Sequence, residues 1–74
     1  MPKYPNLEAE RARRNVTMTS LADAMGVRIN TVSDKMCGKI KSGFTFSEAV
    51  FIKKYLNDIM PLDMPLEELF EEVE

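Results

Sequence analysis

Seventy-four residues, 45% hydrophobic and 30% charged, suffice for one core and exclude both a second domain and a wholly disordered chain. The formal charge of −2 conceals an asymmetry: residues 1–54 hold all ten Lys and Arg against five acids, a local +5, whereas residues 55–74 hold seven acids and no base, a local −7. A single cysteine excludes an intramolecular disulfide, and no apolar run has the length of a membrane span or the look of a secretory signal, so a reduced cytoplasm is the expected compartment.

In chain order, the first helix is predicted over about Leu7 to Arg14. Asn6 is its expected N-cap after Pro5, with Glu8 and Glu10 near the positive end of the dipole and Arg11, Arg13 and Arg14 near the negative end. These arginines read as basic surface, Arg11 excepted, which is favoured as the ion-pair partner of an acid in the C-terminal helices. A second helix covers about Met18 to Met25 with Thr17 as N-cap, and Leu21 and Met25 share a face beside Ala22. A third runs over about Ile29 to Met36 and ends near Gly38, after which Lys39, Lys41, Ser42 and Gly43 form a basic, flexible loop. A fourth spans about Phe46 to Leu56 behind a Thr45/Glu48 capping box, with Ala49, Ile52 and Leu56 in an apolar stripe and Phe46 and Tyr55 alongside. A fifth covers about Pro65 to Glu72, with Leu66, Leu69, Phe70 and Val73 as its apolar face. No segment alternates as a strand would, so the expected class is all-α, one domain over residues 1–74 with an acidic C-terminal segment at 55–74. One core is expected from Leu7, Val16, Leu21, Ala22, Met25, Val27, Val32, Met36, Ala49, Ile52, Leu56, Leu66, Leu69 and Phe70, and the many methionines read as core fillers.

The stretch TMTSLADAMGVRINTVSDKMCGK, residues 17–39, is the most informative. Ala22 has almost no side chain and lets a second helix approach closely. Gly26, four residues on, stands where the chain must turn and glycine takes a positive φ without steric cost. Val27 and Val32 pin the turn and the following helix into the core. This layout is that of a helix-turn-helix at about residues 17–38, whose second helix reads a DNA major groove.

Enzymatic chemistry has no comparable support. There is no histidine, no phosphate-loop glycine pattern and no cluster of metal-ligand spacing, and Cys37 has no partner for a catalytic pair. No catalytic residue, metal, cofactor or small-molecule ligand is expected. Most of the acids read as helix caps and solvated faces.

Taken in order, Thr17-Met18-Thr19-Ser20-Leu21-Ala22, Met25-Gly26-Val27, Thr31-Val32-Ser33 and Met36-Cys37-Gly38-Lys39 resemble the lambda-repressor-like family of Cro/repressor or XRE type. The opening Tyr4-Pro5-Asn6-Leu7, the later Phe44-Thr45-Phe46-Ser47-Glu48-Ala49 and the final Leu66-Glu67-Glu68-Leu69-Phe70 are similar to those of small phage-derived members, so the resemblance covers roughly residues 4–71. It implies a compact five-helix domain with the helix-turn-helix as its second and third helices. It further implies a phage or prophage transcriptional regulator of double-stranded DNA, often acting as a two-fold dimer on a palindromic operator.

The residues allow this expectation to be made specific. With Val32 and Met36 inward, the third helix would offer Ile29, Asn30, Ser33 and Asp34 to base edges, flanked by Thr31. Asn can pair bidentately with adenine, Asp can accept from cytosine N4, and Ile can touch a thymine methyl. Thr17, Met18 and Thr19 at the start of the second helix, together with Arg28, Lys35, Lys39 and Lys41, are the candidate phosphate contacts. The chain also departs from the family. Met18 stands where glutamine is frequent, Arg28 where a small capping residue is usual, and Cys37 where asparagine is common. With the acid Asp34 in the reading helix, these departures keep an alternative open: a degenerate helix-turn-helix scaffold that binds a protein partner. For a homodimer, the expected surface is the C-terminal region, through Met60, Leu62, Met64, Phe70 or Val73, with Glu71 and Glu72 at its rim.

Overall fold

The computed structural model describes residues 3–72. Five helices follow in order: α1 Pro5–Arg13, α2 Met18–Met25, α3 Ile29–Cys37, α4 Phe46–Ile59 and α5 Leu66–Leu69, with no strand among the described residues. The protein is all-α, and its radius of gyration of 11.1 Å matches the ~11 Å expected for a close-packed chain of this length.

The boundaries follow from local chemistry. α1 begins two residues before the expected start, with Tyr4 as N-cap and Pro5 in the first turn, where its fixed φ costs nothing. Asn6 is therefore inside the helix, and its side-chain amide donates to the Glu68 carbonyl at 2.8 Å instead of capping. Asn15, at φ 58°, ends α1 in the left-handed conformation that asparagine tolerates. Thr17 caps α2 as expected, its hydroxyl accepting from the Ser20 amide at 3.0 Å.

Gly26 ends α2 at φ 72°. Its amide bonds to the Asp23 carbonyl, and the Val27 amide reaches back to the Ala22 carbonyl at 3.0 Å. This pair of bonds is the Schellman arrangement, and it turns the chain into α3 within a few residues. Ala22 is buried and α2 packs directly on α3.

α4 is longer than expected, reaching Ile59. It stops there because Pro61 pushes Met60 into extended backbone, φ −153° and ψ 129°. Both halves of the Thr45/Glu48 capping box are made. α5 is shorter than expected, a single turn. Glu67 and Glu71, and Glu68 and Glu72, are like-charge pairs at i, i+4 with no base nearby in sequence, which opposes a longer helix.

The core joins Tyr4, Leu7, Val16, Leu21, Ala22, Val32, Met36, Ile52, Leu56, Leu62 and Leu69. Ala49 is buried as well, and Met25, Val27 and Phe70 pack against the core half-buried. Two expectations are corrected. Leu66 is only half-buried, and Phe46, set beside the apolar stripe of α4, is 77% exposed because it points away from Ala49, Ile52 and Leu56. Tyr4 and Leu62 are core members that the helical periodicity did not reveal, since both lie outside helices. Val73 lies outside the described residues.

A buried ion pair, Arg14 with Glu10, joins α1 to the end of α4. The Arg14 side chain, 1% exposed, bonds to the Glu10 carboxylate at 2.7 Å. It also donates to the carbonyls of Leu56 (2.9 Å), Met60 (2.8 Å) and Pro61 (3.0 Å). A cation is thereby placed on carbonyls at and just beyond the C-terminus of α4, where the helix dipole also favours it. The structural arginine is thus Arg14 and not Arg11. Arg11 pairs with Glu8 one turn back and donates to the Val16 carbonyl. Arg11 sits on the same helix, but Arg14, one turn further on, is the one facing the end of α4.

Candidate nucleic-acid interface

α3 divides cleanly by burial. Val32 and Met36 are inside, while Ile29, Asn30, Ser33 and Cys37 are exposed and Thr31, Asp34 and Lys35 are half-buried. Ile29, Asn30 and Ser33 therefore share the solvent side with their chemistry available. Ile29, 44% exposed, is one of six large apolar side chains left in water among the described residues. Asp34 also faces outward, and its carboxylate makes no ion pair among the described residues. Its backbone carbonyl has a structural task, accepting from the Lys39 amide at 2.9 Å to close the helix.

The expected phosphate contacts separate into three groups. Arg28, Lys39 and Lys41 are exposed, the first at the entry to α3 and the other two just beyond its end. Arg28 occupies the N-cap without a side-chain cap bond, so its guanidinium is not used in starting the helix. At α2, the Thr17 hydroxyl is taken by the Ser20 amide, which leaves the first-turn amides of Met18 and Thr19 as donors with no intrahelical acceptor.

Lys35 is different. Its Nζ donates to both Glu48 oxygens, at 2.8 and 2.9 Å, and lies 5.9 Å from the centre of the Phe44 ring. Its charge is neutralised inside the protein, and it ties α3 to the capping box of α4. Partial burial works against ionisation of Glu48, but the bonds from Lys35 and the Thr45 amide outweigh it and hold the carboxyl below the ordinary glutamate range.

The loop between α3 and α4, expected to be flexible, is anchored. Gly43 is buried with φ +62°, and a Cβ there would lie 2.0 Å from the Tyr4 hydroxyl. Tyr4, Phe44 and Phe70 form an aromatic cluster with ring centres 5.6 to 5.8 Å apart. Lys3, not singled out from the sequence, and Tyr4, noted there only within the opening segment of the resemblance, both touch this loop. The only hint was an aromatic residue placed before Pro5 and another placed after Gly43.

No family model matches the chain, and no curated protein and no solved structure matches it.

Proposed function

We propose that the protein is a sequence-specific regulator of transcription that binds double-stranded DNA, with α2 and α3 as a helix-turn-helix and α3 in the major groove. The observation that carries this reading is the division of α3. Val32 and Met36 are buried, while Ile29, Asn30 and Ser33 stand exposed between basic residues at both ends of the helix. The resemblance to small phage-derived lambda-repressor-like proteins supports the same reading. In it, Ile29, Asn30, Thr31, Ser33 and Asp34 face base edges. Arg28, Lys39, Lys41 and the α2 amides at Met18 and Thr19 meet phosphates. Lys35 is left out of that set because Glu48 already holds it.

The test is a genomic-library DNA selection with purified protein, followed by titration of recovered duplexes at several salt concentrations. Recovery of a common motif, with affinity falling steeply as salt rises, is expected. No enrichment and no salt dependence would remove the proposal.

A second reading rests on one specific observation: the Asp34 carboxylate, on the outward side of α3, has no ion-pair partner among the described residues, while Lys35 is neutralised by Glu48. A partner protein tolerates that charge better than a phosphate backbone does. Phe46, Val50 and Phe51 are also exposed on α4, as a docking module would require.

A further inference from the structure

The loop carrying Lys39 and Lys41 is held by the segment that precedes α1. The Lys3 amide donates to the Met36 carbonyl at 3.0 Å, and Lys3 Nζ donates to the Lys41 carbonyl at 3.1 Å. The Lys3 stem lies over Gly38, with its Cδ and Cβ 3.5 and 3.6 Å from where a Cβ would stand. Tyr4 follows directly: its hydroxyl accepts from the Phe44 amide at 3.4 Å and presses on Gly43. The far end of the chain completes the arrangement, with Glu72 at 2.9 Å from Lys3 Nζ and Phe70 against the Tyr4 ring. Lys3 Nζ is thus shared between a carboxylate and a carbonyl. The Glu72 hydrogen bond holds its ammonium above the ordinary lysine range.

We propose that Lys3 and Tyr4 are positioning residues for DNA binding: together they strap the α3–α4 loop so that Lys39 and Lys41 are presented to the phosphate backbone in one arrangement. The inference rests on the DNA-binding reading. The loop has no helix or strand of its own, so without the strap its ordering would be deferred to the moment of binding and would weaken it. Only two cations stand in the loop, and the Lys41 backbone is the point that Lys3 grips. Gly43 makes the fit stringent, because it leaves no room between loop and hydroxyl.

The test is a double-mutant cycle on DNA affinity, using a duplex recovered by selection and a random-sequence duplex of equal length. Lys3→Met with Tyr4→Phe keeps the apolar stem and the ring cluster while removing the ties to the loop. The double variant should bind both duplexes several-fold more weakly. Lys41→Ala should then cost much less in that background than in the wild type, with the salt slope smaller by about one unit. Lys3→Met alone replaces no core residue and serves if the double variant does not fold. If Lys41→Ala costs the same in both backgrounds, the strap does not position the loop and the inference falls while the DNA reading stands. If the wild type itself shows no salt-dependent affinity for either duplex, the DNA reading falls and takes the inference with it.

Discussion

At the scale of single residues, two lysines four positions apart, Lys35 and Lys39, make opposite predictions. Lys39 is exposed beyond α3, so Lys39→Ala should weaken binding on all duplexes alike and reduce the salt slope by about one unit. Lys35 is bound to Glu48, so Lys35→Ala should leave the salt slope unchanged and lower stability by about 0.5 kcal/mol. Titrations across a salt series, with thermal melts beside them, separate the two; equal slopes for both variants would place Lys35 on the phosphates after all. Asp34 offers a second probe. If it accepts from a cytosine, Asp34→Asn should change preference at one base pair by about 1–3 kcal/mol. If its charge only repels phosphate, the same change should raise affinity on every sequence. A selection repeated with the variant distinguishes these outcomes, and no change in either quantity favours the protein-partner reading.

At the scale of elements, the parts of the fold that could be read from the sequence are those whose causes lie within a turn. Thr17 and Thr45 bond to amides three residues ahead, and Gly26 closes onto carbonyls three and four residues behind. Each leaves a compact pattern of residue types. Tyr4, Leu62 and Arg14 are different. Tyr4 meets Phe44 forty positions away and Arg14 meets carbonyls more than forty away, with nothing local to betray them. The candidate site divides the same way: the outward face of α3 followed from helical spacing, whereas the loss of Lys35 to Glu48 depended on how α3 and α4 come together. That tie has a pH signature. The folded carboxyl of Glu48 is held below its ordinary value of about 4.3, so its contribution is fully present above that pH. It is lost as pH falls through the lower, folded value. The melting temperature of the wild type should therefore drop more between about pH 5 and pH 3 than that of Glu48→Gln, by calorimetry in matched buffers. Parallel curves would show that the pair contributes nothing.

At the scale of the whole molecule, the basic first part and acidic last part form an electrical asymmetry across one small body. The acidic stretch keeps the net charge negative, which favours solubility. It also bears on association. Of the residues expected to form a dimer surface, Val73 lies outside the described residues; among the described ones Leu62 is in the core, Phe70 and Met64 are half-buried, and Met60 is exposed. If a two-fold dimer forms there, Met60→Lys should weaken it at least about tenfold, as loss of a central apolar anchor does. Sedimentation equilibrium at tens of micromolar, with and without DNA, measures this; a strict monomer in both conditions removes the dimer.

The Arg14 anchor has a kinetic consequence. Its bonds to the carbonyls of Leu56, Met60 and Pro61 join positions 42 to 47 residues apart, so they close most of the chain on itself. Loop closure of that length costs entropy that a helical turn does not, and such a contact is expected to form after the rate-limiting step of folding. Its loss should then fall on the unfolding rate. For a cost of about 3 kcal/mol, Arg14→Met should speed unfolding on the order of 100-fold and leave the refolding limb of a chevron plot nearly unmoved. Slower refolding in proportion would instead put the anchor in the nucleus. With the expected result, this one guanidinium governs the lifetime of the native state: every global opening of the molecule waits for its carbonyls to let go.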